Sequence, residues 1–554
     1  MRTPLAFFFI SLGIVATVWW WLALPVTLAR APIDPAAKLE CISYAPFRGD
    51  QTPHNPNLIV SPEQIAEDLV ELAKITECIR TYSIDNGLDK VPELASKVGL
   101  KVLLGVWLGR DHAKNTLLAD AAIALAKNHP GTVSSIIVGS EVLLRGDMIV
   151  SDLRQIIRSV KQRIDIPVTY ADVWEFWLRH KELAADVDFV TVHFLPYWED
   201  VPVHAEGAAA HVDEVRLQVV AAFPGKEILI GETGWPSYGR MRDGALPSRI
   251  NQARFISGIL ERAARDKFRV NLFEAYDEPW KRKWEGSVGG YWGSFDATDR
   301  KPKYQAGVEI RNYPYWKLQM AFGLVLCACV FGTAFATLKW RRLAEGTAAA
   351  WLAVAVCATV SGILLGIGAE KMLLESFGIG GWLLQGLLLA AGVVAPLLSA
   401  HALMTGHSLP TFIEVLGPQE GRGPPLMTKI LGLTLIVTTV LATETALGLV
   451  FDGRWRDFPF AGLTMAVVPF FTVAMFNAAE SGKRPLAEAV FAGLFAVTVP
   501  YIAFNEGPQN WQSLWTCAAY VVLGVTLWRP RAVTLAETAV DARPALVMEP
   551  APQR

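Results

Sequence analysis

Two apolar stretches decide the predicted fold of the chain: residues 136–141, which read IIVGSE, and residues 228–237, which read ILIGETGWPS. In each stretch, a run of aliphatic residues reaches a glycine and then a glutamate, Glu141 or Glu232. Such a run, without alternating polar residues, is typical of a parallel strand that is buried on both faces. Both carboxyl groups are therefore predicted at the C-terminal ends of parallel strands, the edge where barrels of eight β/α units carry their functional residues.

The same alternation of apolar runs and helical patterns extends over roughly 270 residues, the size of a (β/α)8 barrel. Strands are predicted at eight positions: 41–47, 76–82, 101–107, 133–141, 167–172, 188–195, 227–232 and 269–276. Helices are predicted between them, for example at 62–74, with Ser61 as the N-cap, and at 153–163. The soluble part is therefore predicted to be an α/β protein with the TIM-barrel fold, in which Glu141 ends the fourth strand and Glu232 the seventh.

The rest of the chain is strongly apolar. Hydrophobic residues make up 52% of the 554 residues and charged residues 19%, a composition that indicates a membrane portion. Residues 5–28 are long enough to span a bilayer, and the tryptophans at 19–21 favour an uncleaved anchor over a cleaved signal peptide. About seven further runs that cross or nearly cross the hydrocarbon core follow residue 315: 316–338, 347–367, 380–405, 429–451, 460–478, 486–504 and 511–528.

These patterns divide the chain into four predicted parts. Residues 1–31 form an N-terminal transmembrane anchor and residues 32–315 the barrel. Residues 316–530 form an all-α polytopic transmembrane domain. Residues 531–554 are polar, contain proline and alanine, and are predicted to be a disordered cytoplasmic tail.

Loop charges predict the orientation of the spans. Basic residues concentrate in alternate loops (Lys339, Arg341, Arg342, Arg422, Lys429, Lys483, Arg484, Arg529 and Arg531), and the other loops hold fewer (Lys371, Arg454 and Arg456). By the positive-inside rule the first set is cytoplasmic, so the barrel lies outside, in the periplasm of a Gram-negative host. The prediction is a multi-pass protein of the bacterial inner membrane, in contact with the lipid bilayer. The net charge of −2 gives no electrostatic reason to expect a nucleic-acid partner.

Six cysteines bear on the compartment and on metal binding. Four lie in the apolar runs, where packed free thiols are expected (Cys327, Cys329, Cys357 and Cys517). Cys41 and Cys78 lie near the starts of neighbouring predicted strands. An extracytoplasmic location permits a disulfide between them, and geometry decides whether one forms. The cysteines and histidines lack metal-site spacing, so neither a metal nor a cofactor is expected.

A pair of carboxyl groups at one edge of a barrel indicates glycosidic chemistry. Cleavage of a glycosidic bond needs one carboxylic acid to protonate the leaving oxygen, and an ionised carboxylate to attack the anomeric carbon or to activate water. Trp235 follows the second glutamate and offers a ring that can stack on a sugar. The alternative is that both glutamates are exposed loop residues or members of structural ion pairs.

Several motifs, in the right order along the chain, resemble glycoside hydrolase family 17, the β-1,3-glucanases and their transglycosylase relatives. Residues 138–141 (VGSE) resemble the acid/base motif and residues 231–237 (GETGWPS) the nucleophile motif. Further matches are residues 80–82 (RTY), 276–281 (YDEPWK), 292–293 (WG) and 301–304 (KPKY). The resemblance covers roughly residues 38–305 and implies a TIM barrel.

Carried over position by position, the resemblance implies that Glu141 is the general acid/base and Glu232 the nucleophile of a retaining, double-displacement reaction. It implies substrate-binding or supporting roles for Ser140, Tyr82, Arg80, Tyr197, Trp235, Glu278, Lys281 and Trp292. Arg80 either holds the nucleophile ionised or forms a structural salt bridge. Glu278 and Lys281 either support the sugar site or form a surface ion pair.

Two positions depart from the family pattern. Family 17 usually has asparagine before the acid/base glutamate, where this chain has Ser140 with its single rotatable hydroxyl. The sixth-strand motif usually carries tyrosine before proline, whereas residues 193–198 read HFLPYW. Tyr197 lies two residues further on and is expected to reach the same face. Neither departure removes a carboxylate.

The apolar region favours glucan remodelling over degradation. An outward family-17-like domain followed by several spans resembles the rhizobial membrane proteins that introduce β-1,6 linkages into periplasmic β-1,3-glucans. This implies a β-glucan transglycosylase that acts on glucan from a separate synthase, because no part of the chain resembles a nucleotide-sugar transferase. The alternatives are an endo-β-1,3-glucanase and a non-catalytic glucan-binding or export protein. For export, Glu444 is a candidate within a predicted span, without an evident neutralising neighbour, and helix packing is its competing role.

Overall fold

The computed structural model describes residues 2–29, 34, 37–343, 346–418, 424–477 and 485–528. Within these ranges ten β-strands form: β1 (Val26–Thr27), β2 (Cys41–Ser43), β3 (Cys78–Arg80), β4 (Lys101–Val106), β5 (Val133–Ser140), β6 (Val168–Val173), β7 (Val190–His193), β8 (Ile228–Thr233), β9 (Arg269–Leu272) and β10 (Glu309–Ile310). The same ranges contain seventeen α-helices: α1 (Arg2–Leu22), α2 (Pro62–Leu72), α3 (Val91–Lys97), α4 (His112–Asn128), α5 (Val150–Lys161), α6 (Trp174–Arg179), α7 (Ala205–Ala222), α8 (Arg249–Asp266), α9 (Arg282–Glu285), α10 (Trp316–Arg341), α11 (Ala348–Glu375), α12 (Gly378–Thr405), α13 (Phe412–Leu416), α14 (Leu426–Phe451), α15 (Phe460–Phe476), α16 (Leu486–Glu506) and α17 (Trp511–Trp528).

Strands β2 to β9 form a closed barrel in chain order, with all neighbours parallel and β9 paired to β2. A helix separates each barrel strand from the next, from α2 to α8. The predicted (β/α)8 fold is therefore confirmed, and each predicted strand overlaps an observed one. The largest differences are at β2, which was predicted to reach Phe47 and ends at Ser43, and at β9, which was predicted to reach Tyr276 and ends at Leu272. Beyond that point the backbone pairs with another loop, since the N–H of Asp277 donates to the carbonyl of Phe295 at 3.0 Å.

Helix α2 shows how the sequence determines local structure. Ser61 accepts a hydrogen bond from the backbone N–H of Gln64 at 3.2 Å, which confirms it as the N-cap. Ile65, Leu69 and Leu72 follow at helical spacing and are fully buried in the barrel core. The helix is therefore fixed by its cap and its apolar face together.

The C-terminal region is helical, as predicted. In the described part of the chain, six helices are long and apolar enough to cross a membrane by length and composition: α1, α10, α11, α12, α14 and α16. Helices also occupy the two remaining predicted spans, but α15 has 17 residues and α17 has 18. At about 1.5 Å per residue, α15 is shorter than the roughly 30 Å hydrocarbon core. In the described part of the chain, every predicted span is therefore occupied by a helix, and six of these helices have the length and composition of a full span.

Glu444, in the helical region, has a charged neighbour in the structure. Glu444 lies two turns before the end of α14, and its carboxylate is 4.0 Å from the guanidinium of Arg456. Both side chains are about half exposed. The expectation of a carboxylate without a cationic neighbour is therefore wrong.

The predicted tail at 531–554 lies outside the described residues, as do the basic residues Arg422, Lys483, Arg484, Arg529 and Arg531.

The C-terminal edge of the barrel contacts the helical region. Arg240, in the loop after β8, donates to both carboxylate oxygens of Glu506 at the end of α16, at 2.6 and 2.5 Å. Ser287, in the segment after β9, donates to the carboxylate of Asp457, between α14 and α15, at 2.6 Å. The barrel edge that carries the two predicted catalytic glutamates is therefore also the edge held by the helices.

Cys41 and Cys78 form a disulfide between β2 and β3, with their Cα atoms 4.4 Å apart. The register explains the pairing, because Ile42 lies opposite Ile79 and the preceding residues are brought side by side. The other four cysteines are free, as expected.

We expect Cys41→Ser and Cys78→Ser, singly or together, to lower the free energy of unfolding by about 2–4 kcal/mol, because the bond closes a long loop in the unfolded chain. The two cysteines are 37 residues apart. Denaturant unfolding of the purified protein measures the effect, and all three variants should agree. Equal stability of the variants and the wild type would contradict the prediction, as would alkylation of Cys41 after unfolding without a reductant.

Candidate active site

Glu141 immediately follows β5 at the C-terminal edge of the barrel. The backbone turns sharply there, with a φ of +89° at Gly139 and +54° at Glu141, a region that non-glycine residues rarely adopt. The N–H of Glu141 donates to the carbonyl of Ala171 at 2.8 Å, which fixes the turn against β6. The side chain is 26% exposed, so its carboxyl group is accessible to a ligand.

Glu232 lies within β8 and is almost completely buried. Its carboxylate is 3.2 Å from the guanidinium of Arg80, which is itself buried. Arg80 is held by donation to the carbonyl of Gly231 at 2.7 Å and to the hydroxyl of Ser140 at 3.0 Å. The structure therefore places Arg80 against the carboxylate of Glu232 and joins Ser140 to it through the guanidinium.

His193, the last residue of β7, lies between the two glutamates. Its Nδ1 is 2.7 Å from Oε1 of Glu141, and its Nε2 is 3.4 Å from Oε1 of Glu232. The ring nitrogen and one oxygen of each carboxyl group all lie within 4.8 Å of one another. The two predicted catalytic carboxyl groups therefore face each other at one site.

The pKa values of Glu141 and His193 are shifted in opposite directions. Burial raises the pKa of the Glu141 carboxyl, and the positive charges of Arg145, Arg80 and Lys281 act in the opposite direction. Burial lowers the pKa of His193 to about 3, so its ring is neutral at ordinary pH. A carboxyl group with a raised pKa is suited to carry a proton.

Lys281 supports the site from the segment that follows β9. Its ammonium group donates to both carboxylate oxygens of Glu274 at 2.6 and 2.7 Å, and both side chains are buried. Burial raises the pKa of Glu274 to about 7, and Lys281 opposes that shift. Glu278 is also buried, and its carboxylate accepts from the indole of Trp280. The alternative that Glu278 and Lys281 form a surface ion pair is therefore wrong, because both side chains are buried and the lysine pairs with Glu274.

The two predicted tyrosines differ in position. The hydroxyl of Tyr82 donates to Ser43 at 2.8 Å, and its ring centroid lies 4.6 Å from the guanidinium carbon of Arg80. Tyr197 is fully buried, and its hydroxyl donates to the carbonyl of Arg240 at 2.9 Å. Tyr197 lies beyond the end of β7, and the side chain of that strand beside Glu232 is His193, at 3.4 Å.

Neither predicted sugar platform is open in the structure. Trp235 and Trp292 both have 0% exposure, so their rings pack against protein. Trp107, after β4, and Trp284, after β9, are 40% and 53% exposed at the same edge of the barrel. Exposed rings are the ones that a sugar can reach, so Trp235 and Trp292 offer no stacking face in this structure.

The geometry of this domain agrees with its similarity to known proteins. A family described as "BtgE/BtgC glycoside hydrolase domain" matches residues 41–293. The chain is 31% identical over 257 residues to a protein named Glucan 1,3-beta-glucosidase from Schizosaccharomyces pombe, a match that covers 43% of this chain and 78% of that protein. The chain belongs to the BtgE/BtgC glycoside hydrolase family. The expected family-17-like domain is thereby confirmed for the barrel.

Two further relatives show how much of the chain this glycoside hydrolase similarity covers. A protein named Probable beta-glucosidase btgE from Aspergillus fumigatus is 29% identical over 226 residues, and the chain spans 39% of its length. The crystal structure of a glycoside hydrolase family 17 β-1,3-glucanosyltransferase from Rhizomucor miehei is 27% identical, with a TM-score of 0.43. That match covers 49% of this chain and 98% of the other.

The glycoside hydrolase site also groups three side chains that are able to bind a cation, those of Glu141, His193 and Glu232. Arg80 lies 3.2 Å from the Glu232 carboxylate and 3.1 Å from Nε2 of His193. The guanidinium therefore already supplies a positive charge at this position, and we assign no metal there.

Two residues of the glycoside hydrolase site were missed by sequence reasoning. His193 was noted only as part of a departing motif, within the predicted strand 188–195. A polar residue directly after the apolar residue Val192, which is buried in the structure, was the available signal. Glu274 lies within a stretch predicted as strand, and nothing in its local pattern distinguished it from Glu278.

Proposed function

We propose that the chain is a membrane-bound retaining enzyme that acts on β-1,3-glucan and transfers glucan chains with formation of β-1,6 linkages in the periplasm. The observation that carries the proposal is the carboxyl pair, whose nearest oxygens lie within 4.8 Å of each other. Retaining glycosidases separate their two carboxyl groups by about 5–5.5 Å, and inverting enzymes by about 6.5–9.5 Å. The short separation supports direct attack by Glu232 rather than attack by water.

In the proposed reaction, Glu232 attacks the anomeric carbon while Glu141 gives its proton to the leaving glycosidic oxygen, and the glycosidic bond breaks. The product is a glycosyl ester on Glu232. In the second step, the carboxylate of Glu141 removes a proton from an acceptor hydroxyl, whose oxygen bonds to the anomeric carbon as the ester breaks. Both glutamates return to their starting states. An acceptor sugar gives transfer, and water gives hydrolysis.

The proposed location depends on the helices and on the disulfide. Six helices have the length and composition of membrane spans. The disulfide between Cys41 and Cys78 supports an oxidising, extracytoplasmic environment for the barrel. Lys339, Arg341 and Arg342 at the end of α10 support an orientation with the barrel on the opposite side of the membrane. We propose that this is the periplasmic side of a bacterial inner membrane. A separate glucan synthase is the proposed source of the substrate.

Transfer is favoured over hydrolysis by the contact between the barrel and the helices. The barrel edge that carries Glu141 and Glu232 is held against the helical region through Arg240 and Glu506. An enzyme fixed in this way remains at the membrane surface, where newly made glucan is available. The second candidate is an endo-β-1,3-glucanase, which needs the same carboxyl pair. The β-1,6 product itself is supported by the resemblance to the rhizobial membrane proteins.

Incubation of the purified full chain with a β-1,3-linked glucose pentasaccharide tests the function. Products longer than the substrate, with β-1,6 linkages, are expected from the wild type and not from Glu232→Gln. The exposed glutamate in Glu71→Gln, on helix α2, serves as the matched control and should leave turnover unchanged. Products that are only shorter than the substrate would make the enzyme a glucanase. Glucan binding that survives Glu232→Gln, without turnover by the wild type, would favour a non-catalytic role.

The pH dependence of turnover should identify the acid. Burial raises the pKa of Glu141, and its protonated form is the one that donates. Activity should therefore fall as pH rises through that pKa, above the ordinary glutamate value of about 4.3. The measurement is kcat/KM against pH with the pentasaccharide. The alkaline limb should disappear in Glu141→Gln when the substrate is an aryl β-glucoside with a good leaving group. If the alkaline limb is unchanged in Glu141→Gln, the group that titrates there is another residue.

A further inference from the structure

His193 lies at the centre of the site, and its surroundings define its protonation state. Its ring is fully buried at the end of β7. The charged groups that face it come from three neighbouring elements: Arg80 from β3, Glu141 from the turn after β5, and Glu232 from β8. The adjacent strand β6 presents Val173 in register with it. Among the described residues, the ring is hydrogen-bonded to Arg80, which can only donate, and to Glu141, whose carboxyl oxygens can accept.

The contact with Arg80 decides which ring nitrogen carries the hydrogen. The guanidinium Nη1 lies 3.1 Å from Nε2 of His193, and arginine is a donor without acceptor capacity. Nε2 must therefore accept, and in a neutral imidazole the hydrogen is then on Nδ1. Nδ1 lies 2.7 Å from Oε1 of Glu141. The ring consequently donates to the acid/base candidate and accepts from the arginine beside the nucleophile candidate.

We propose that His193 is a positioning residue which, as the neutral Nδ1–H imidazole, donates to Oε1 of Glu141 and thereby directs the acid proton to Oε2. This inference rests on the proposed function, since it assigns Glu141 as acid/base.

The hydrogen-bond chain links the two glutamates during the reaction. While Glu232 is a carboxylate, its negative charge partly neutralises the positive charge of Arg80. When Glu232 becomes a glycosyl ester its negative charge is lost, and the guanidinium then polarises the imidazole more strongly. The Nδ1–H donation to Glu141 is strengthened, which favours the ionised form of Glu141. Ionised Glu141 is the form that must remove the proton from the acceptor in the second step.

Two variants separate this role from simple packing. Asparagine places an amide N–H near the position of Nδ1, whereas glutamine places its amide near Nε2 and leaves Glu141 without the donor. A hydrogen bond to a charged group stabilises that charge, so its loss in His193→Gln should move the alkaline limb of kcat/KM upward by about one to two pH units. His193→Asn should keep the limb near the wild-type position.

The outcomes distinguish this proposal from the proposed function. An inactive wild-type protein would overturn the proposed function and this role with it. An active wild type, with the same alkaline limb in both variants, would overturn only the role of His193. The expected result is that the alkaline limb of kcat/KM shifts in His193→Gln and stays in place in His193→Asn.

Nuclear magnetic resonance of the full chain with 15N-labelled histidine provides a readout that does not depend on activity. One of the nine histidines should show an Nδ1–H ring that does not titrate between about pH 5 and pH 8. Its signals should be absent from His193→Asn. A wild-type spectrum in which every histidine titrates, or carries its hydrogen on Nε2, would contradict the proposal even if neither variant folds.

Discussion

Glu232→Ala and Glu141→Ala are expected to lose activity in two different ways, because the proposed function makes Glu232 the nucleophile and Glu141 the acid/base. Loss of the nucleophile prevents formation of the glycosyl ester, and a decrease in kcat/KM of at least about a thousandfold should follow on every substrate. Loss of the acid/base should cost about 100-fold to 10,000-fold on the pentasaccharide. The second defect should be much smaller for an aryl glucoside, whose leaving group needs no proton.

Sodium azide separates the two defects by the stereochemistry of the product. In Glu141→Ala the glycosyl ester still forms, and azide attacks it to give a β-glycosyl azide. In Glu232→Ala azide takes the place of the carboxylate and attacks the substrate directly, which gives the α-glycosyl azide. The products are distinguished by proton coupling at the anomeric carbon. The same anomer from both variants, or the two anomers exchanged, would contradict the assigned roles.

The barrel could be predicted because its signals are local and repeated. The apolar run before Glu141 has no polar alternation, and this fits a strand with helices on one side and a packed interior on the other. The alternation with amphipathic segments then determines the number of strands. The side of the barrel on which Glu141 and Glu232 lie follows from parallel topology alone. These features therefore needed no knowledge of tertiary contacts.

The contacts around the glutamates could not be predicted, because they join residues far apart in the chain. Lys281 pairs with Glu274 rather than with Glu278, and the choice depends on how the loop after β9 folds. Burial of Trp292 depends on packing against Trp198, with ring centroids 6.3 Å apart. Periodicity indicates which face of an element is apolar, but it does not indicate which partner closes over it.

The contact between the barrel and the helices also had no signal in the sequence. Arg240 and Glu506 are separated by 266 positions, yet Nη2 of Arg240 donates to both carboxylate oxygens of Glu506, and the two side chains are 5% and 13% exposed. Asn510 extends the contact, since its amide donates to the carbonyl of Met241 at 3.0 Å and to Glu506 at 3.1 Å. The loop that follows β8 is therefore held by residues of the helical region.

We expect Arg240→Ala to lower the free energy of unfolding by about 3–5 kcal/mol, because it leaves the Glu506 carboxylate buried without its partner. Glu506→Ala should have a similar effect. The double variant should cost less than the sum of the two, since residues in contact are not additive. Displacement of the loop after β8 by about 1 Å is enough to reduce kcat/KM by up to about 100-fold. Denaturant unfolding and pentasaccharide turnover, in the same detergent, measure both effects.

Arg265→Ala provides the control for this cycle. Arg265 pairs with Asp266 at 2.6 Å, but its side chain is 64% exposed, and exposed pairs contribute only about 0–1 kcal/mol. If the losses of stability in Arg240→Ala and Glu506→Ala are additive and both single variants keep wild-type turnover, the helices merely adjoin the barrel. Coupled losses of stability and activity would instead make the helical region part of the structure that positions the nucleophile. The family-17-like domain would then depend on the helices for its chemistry and not only for its location.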